Sequence, residues 1–242
     1  MTRHEPMQPS RWPKTFPPLT AEQERIRDDF MHAWHEELPS KYGIIEKFNH
    51  GYVVDHAPEG FLHTLEIGAG LGEHLSYERL TPEQRTNYVA VELRPAMAAE
   101  IQRAHPEVRV VVGDCQERLS FDDGWFDRIL AVHVLEHLPN LPAAVREMHR
   151  LCTPERGRFQ VVIPCEGGFA YGIARRISAQ RFFERRYKMS YKWLIEREHI
   201  NRPREIFEVL DEHFTVEHRS FFPLLAPSIE LNLAIGLTLR PR

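Results

Sequence analysis

The chain has 242 residues, 42% hydrophobic and 27% charged, with a formal net charge of -4. This is the composition of a soluble globular protein, long enough to bury a full core in one domain with additions, and its acidic balance excludes nonspecific capture of nucleic acid by the whole surface. Cys115, Cys152 and Cys165 are odd in number, far apart and without a C-x-x-C pair, which excludes a zinc knuckle or disulfide framework and fits a reducing cytoplasm; no apolar run approaches the roughly 18 residues of a membrane span, and no signal peptide is visible.

Residues 1–19, with Pro6, Pro9, Pro13, Pro17 and Pro18, read as an extended arm that is either disordered or laid across the core through Trp12 and Phe16. Residues 20–60 read as a helical cap. Thr20 and Gln23 form a capping-box pattern, and Ile26, Phe30, Trp34 and Leu38 recur on one helix face up to Pro39. A second helical piece through Ile44, Ile45 and Phe48 ends near Gly51. Residues 61–242 read as an α/β core. Its first strand, around Leu62, Leu65 and Ile67, turns at Gly68, and Gly68, Gly70 and Gly72 lead to a helix-like start at Glu73. Glycines there permit positive φ and let a ligand lie against backbone N–H groups. Strands are predicted at 87–92, 108–112, 126–132 and 159–163, with helices at 95–104 and 141–151 between them. Such alternation gives a parallel sheet covered on both sides. A helix from Pro203 to His213 then precedes strands at 214–220 and 231–239, whose direct connection implies an antiparallel hairpin at the sheet edge.

In an open parallel sheet, ligands bind beyond the carboxyl ends of the strands where strand order reverses. Glu66 closes the first strand, Glu92 the second, Asp114 follows the third and His133 the fourth. An acid about 20 residues past the glycine turn suits the two hydroxyls of a ribose, which selects Glu92. Asp114, with Cys115 and Gln116, can receive the exocyclic amine of adenine.

E-I-G-A-G-L-G at 66–72, Glu92, G-D-C at 113–115 and F-D-R-I-L-A-V-H-V-L-E-H-L at 126–138 together resemble the class I S-adenosylmethionine-dependent methyltransferases over roughly 61–239. The resemblance implies a three-layer Rossmann-like methyltransferase fold, with a seven-stranded, mostly parallel sheet and one antiparallel edge-region strand. It implies S-adenosylmethionine as cofactor and S-adenosylhomocysteine as product, with Glu66, Gly68, Ala69, Gly70, Glu92, Leu93, Asp114, Cys115, Gln116 and His133 as cofactor-binding residues. Glu66 would lie near the cofactor's ammonium group. A dinucleotide-binding G-x-G-x-x-G would need glycine where Glu73 stands.

His133, Glu136 and His137 also satisfy the H-x-x-E-H pattern of a zinc peptidase, but that chemistry needs them on a helix face with a further downstream ligand. This segment follows a strand and ends at Pro139. A Glu-x-x-Glu-His version binds metal in some methyltransferases, whereas His133 stands here in place of the first glutamate; no metal is therefore assigned, and Glu136 and His137 are read as loop anchors. The segment at about 164–204 is a basic insertion: from Tyr171 to Arg204 it holds ten Lys or Arg and three Glu, a net of +7, interleaved with aromatics. It is either an anion-binding lid or a capping hairpin with solvated arginines. His133, Glu166 and His199 are candidate bases for a hydroxyl acceptor, since a neutral alcohol is a poor nucleophile. A fainter similarity of I-P-C-E-G-G and R-E-H-I-N to glycan-modifying bacterial methyltransferases implies an oxygen on a small or glycan-linked, anionic acceptor. The alternatives are a nitrogen, carbon or RNA acceptor, peripheral membrane contact by the insertion, or a cofactor-binding regulator without turnover.

Overall fold

The computed structural model describes the backbone of residues 11–41 and 43–242, and their side chains apart from those of 32 and 34–41. The Pro6 and Pro9 part of the arm, and the Trp34 and Leu38 positions of the first amphipathic face, thus lie outside the described residues or side chains.

Seven strands form one sheet: β1 Thr64–Ile67, β2 Tyr88–Glu92, β3 Arg109–Val112, β4 Arg128–Val132, β5 Arg158–Pro164, β6 Phe214–Phe222 and β7 Ala234–Pro241. Their order is β3-β2-β1-β4-β5-β7-β6, so strand order reverses between β1 and β4, which pair in parallel from Thr64 beside Arg128. β1, β2 and most of β4 and β5 are buried on both faces. That is why they read as largely apolar runs and why they accept parallel pairing beneath helices. β7 runs antiparallel to both β5 and β6; the expected hairpin is present, with β6 as its outer strand.

Nine helices flank the sheet among the described residues: α1 Ala21–Lys41, α2 Gly43–Asp55, α3 Pro82–Thr86, α4 Pro95–Ala104, α5 Leu141–Leu151, α6 Phe169–Ile177, α7 Ala179–Tyr187, α8 Lys192–Glu198 and α9 Pro203–Asp211. One side of the sheet, through Leu65, Val91, Ile129 and Val161, packs on Val145 and Met148 of α5 and Ile206 and Leu210 of α9. The other, through Tyr88, Ala90, Leu130 and Val162, packs on Tyr52 and Val53 of α2 and Ile101 of α4. A third cluster joins Ile26 and Phe30 of α1 to Phe183 of α7, Tyr191, and Leu194 and Ile195 of α8. The insertion's aromatics therefore form a small core with the N-terminal helix, in the manner of a cap.

The Thr20–Gln23 capping box forms reciprocally, at 3.2 and 3.0 Å. Two expectations are corrected. α1 continues past Pro39 to Lys41, because proline's fixed φ is helical and a last turn can lose one hydrogen bond. The segment after the glycine turn is a single 3-10 turn, Glu73–Ser76, and the helix that follows is α3, capped by Thr81 and Gln84.

Candidate functional site

The carboxyl ends of β1 to β4 lie at the same edge of the sheet, with the glycine turn directly after β1. Gly68 and Gly70 have φ of +62° and +61°, and a Cβ on Gly68 would stand 2.7 Å from Val134 Cγ2. The turn is thus pressed against the loop after β4 with no room for a side chain. The buried Ala69 is pinned by its N–H to Val91 O at 3.2 Å. The next N–H, on Gly70, donates to Glu92 Oε2 at 3.0 Å, while Glu92 Oε1 accepts from the backbone N–H and Nε of Arg94 at 3.0 and 3.1 Å. Glycine turn and second-strand acid therefore stand side by side, as the binding of a ribose hydroxyl pair requires. Leu93 is exposed beside them.

After β3, Asp114 Oδ1 accepts from the backbone N–H of Gln116 at 2.9 Å, and Gln116 Oε1 accepts from Asn140 N–H at 2.6 Å. The segment holds its shape by its own hydrogen bonds. Cys115 is buried, which pushes its thiol up to about 12, so it packs as a neutral, apolar group. Glu66, at the end of β1, is engaged from within the fold. It is 3% exposed and accepts from Tyr88 Oη at 2.7 Å, and burial raises its carboxyl to about 8. Beneath it lies a pairing that sequence reasoning missed: fully buried Arg128 reaches Gln160 Oε1 and Val53 O, each at 2.8 Å, and Glu78 Oε1 at 2.7 Å.

A second constellation stands at the ends of β4 and β5. His133 has φ of +54°, a left-handed conformation rare for a non-glycine residue and frequent at functional sites. Its Nδ1 lies 3.1 Å from Glu136 Oε1, in the 3-10 turn Leu135–His137. The chain returning from the insertion is clamped onto that turn: Ile200 and Asn201 N–H donate to Glu136 O at 2.9 and 3.0 Å, and Asn201 Nδ2 donates to Leu135 O and Leu138 O at 2.7 and 2.8 Å. The clamp sets His199 against His137, ring centroids 5.1 Å apart. Glu166, just after β5, accepts from His199 Nδ1 at 3.1 Å and pairs with Arg175. Burial alone would raise the Glu136 carboxyl, but the hydrogen bond from His133 and the nearby His137 and His199 hold it down at about 2. The three candidate bases therefore fall in one cluster, together with Glu136 and His137, which the sequence presents only as anchors. They do anchor the loop, and they also face His199. The missing signal was Asn201, whose clamp no local pattern announces.

An open, mostly parallel sheet with a glycine turn and strand-end acids at its switch point defines a Rossmann-like protein built for a nucleoside-bearing cofactor. Residues 65–159 match a family model described as "Methyltransferase domain". Among solved structures, the PH0226 protein of Pyrococcus horikoshii OT3 is similar with a TM-score of 0.59 and 15% identity, over 83% of this chain and 90% of that one. A TehB-like SAM-dependent methyltransferase of Corynebacterium glutamicum has a TM-score of 0.57 and 18% identity over 90% and 100% of the two chains. The N-methyltransferase NodS of Bradyrhizobium japonicum, solved with S-adenosyl-L-homocysteine, has a TM-score of 0.55 and 15% identity over 81% and 87%. No curated protein sequence matches. Residues 65–159 thus match a methyltransferase domain, and the fold is the one these S-adenosylmethionine-dependent methyltransferases share. Among the described residues, no helix is long and apolar enough to cross a membrane.

Proposed function

We propose that this methyltransferase acts on a hydroxyl oxygen of a small-molecule or glycan-linked acceptor that carries negative charge. The observation that carries this reading is the polar cluster at the ends of β4 and β5. A neutral alcohol must lose its proton as it attacks, so an oxygen acceptor calls for basic groups where an already unprotonated amine does not. His133 is held through Nδ1 by Glu136, while its buried Nε2 has no hydrogen-bond partner, which leaves that atom to accept the proton. Glu166 orients His199 through the 3.1 Å bond to Nδ1. Gly70, Glu92 and the Asp114–Gln116 segment would hold the cofactor's ribose and base. When bound, S-adenosylmethionine supplies an electrophilic methyl group. The exposed Arg176, Arg181, Arg185, Lys188 and Arg204 of the insertion suit a phosphate-bearing acceptor.

The test is a panel of phosphorylated sugars, glycan precursors, amines and RNA, scored by S-adenosylhomocysteine formation and by locating the added methyl by mass spectrometry. O-methylation with at least a tenfold lower kcat in His133→Ala supports the proposal. Turnover confined to amines, carbon acids or RNA would overturn it.

A further inference from the structure

We propose that Glu136, His137 and His199 together bind one divalent transition-metal ion, through a carboxylate oxygen and two imidazole Nε2 atoms. The three side chains offer ligand atoms that all lie within 4.8 Å of one another. Tetrahedral ligands at about 2.0–2.1 Å from zinc stand roughly 3.4 Å apart, so small side-chain rotations close the set. Both histidines are already committed through their other nitrogen: His137 Nδ1 lies 2.6 Å from Glu198 O, and His199 Nδ1 lies 3.1 Å from Glu166 Oε2. A carbonyl or carboxylate in that position takes the Nδ1 proton and leaves a lone pair on Nε2, which is the arrangement that orients metal-binding imidazoles. Glu136 is 0% exposed, and its Oε2 is buried without a hydrogen-bond partner. A carboxylate oxygen so placed gains from a cation what it lacks from the protein.

The set is also pre-organised, because its two source segments are joined by the buried bonds of Ile200 and Asn201 to the Leu135–His137 turn. Two nitrogens and one oxygen suit zinc and its neighbours better than calcium or magnesium, which prefer all-oxygen shells. Three protein ligands leave a coordination position open, as in catalytic rather than structural sites. That position would take the acceptor oxygen, a role that rests on the hydroxyl reading above; metal binding itself does not. The sequence pattern H-x-x-E-H thus misleads in detail: His133 supports Glu136, and the third ligand arrives from the far end of the insertion.

The purified full-length protein, stripped with a chelator and dialysed, should be titrated calorimetrically with zinc chloride, and its cobalt(II) derivative recorded in the visible range. One equivalent per chain is expected, with a cobalt spectrum of low coordination number. His137→Ala and His199→Ala should each weaken binding at least tenfold, and Glu166→Gln, which keeps all three ligands but alters the support of His199, by about 10–100-fold. His149→Ala, remote in the fold from the cluster, should bind as the parent does. If an alanine variant does not fold, as judged by circular dichroism and cofactor titration, Glu166→Gln carries the test. Substoichiometric binding, or one equivalent unaffected by these cluster variants, would overturn the site. No acceptor enters the titration, so loss of the hydroxyl reading and loss of the metal site are separate results.

Discussion

The contact between the glycine turn and the loop after β4 gives a sharp test of how the candidate cofactor site is built. In Gly68→Ala the new Cβ would stand 2.7 and 3.0 Å from the Val134 methyls, at a φ of +62°. The left-handed backbone costs an L-residue about 1–2 kcal/mol, and overpacking adds about 1–3 kcal/mol, so the variant should lose about 2–5 kcal/mol in urea unfolding. Val134→Ala alone should cost about 1–3 kcal/mol by leaving a small cavity. In the double variant the added methyl occupies the space the valine gave up, and only the backbone cost remains at position 68. The double variant should therefore be more stable than the sum of the singles predicts by about 1–3 kcal/mol. Singles that add within about 0.5 kcal/mol would refute the contact. Calorimetric titration of the folded variants then reads the turn's part in function: Gly68→Ala should bind S-adenosylmethionine more weakly, and the double variant should recover part of that loss.

Three further outcomes are expected. Because folded Glu66 ionises near 8 rather than its ordinary 4.5, the folded chain holds a proton that the unfolded chain has released between those values. Its contribution is fully present below about pH 4.5 and is lost as pH rises toward 8, by up to about 1.4 kcal/mol per unit; the difference in unfolding free energy between the parent and Glu66→Gln should follow that slope, and a flat difference would reject it. Arg128→Met leaves buried Glu78 without its guanidinium partner and should cost about 3–5 kcal/mol, whereas a loss under about 1 kcal/mol would show that the pair adds little. Glu92→Ala should weaken S-adenosylmethionine binding by about 1–3 kcal/mol through lost ribose hydrogen bonds; unchanged affinity in the folded variant would remove Glu92 from the site.

Most of the fold was legible because its signals are local. The strands 64–67, 88–92 and 159–164 are largely apolar runs buried on both faces, α4 and α5 keep proline in their first turn, and the strand-end acids fall where a parallel sheet must place them. What stayed hidden depends on partners distant in sequence. Arg128 reads as a surface cation in a strand until Glu78, Gln160 and the Val53 carbonyl surround it. The insertion's aromatics show no clear period that reveals α1 as their partner, although Phe30 and Phe183 stack edge to face at 5.2 Å. His137 and His199 are unremarkable singly; two backbone N–H groups and one asparagine bring them together. Even Thr81–Gln84, a local capping box, is a weak helix signal, because α3 is only five residues long.

The segment ahead of α1 bears on all of this. Lys14 donates its N–H to Pro139 O at 2.9 Å and its Nζ to Ile200 O at 2.7 Å, with Glu205 at 2.8 Å. Pro139 lies two positions after His137, and Ile200 adjoins His199, so one lysine ties together the two stretches that carry the histidine pair. Arg197 Nη1 adds a second tie at Pro17 O, 2.6 Å away. Removing this segment by limited proteolysis, or loading it with a fusion partner, is thus an intervention on the stretches that hold the histidine pair. Loss of turnover after such a cut would report a released latch, in a chain whose β-sheet and glycine turn remain as they were.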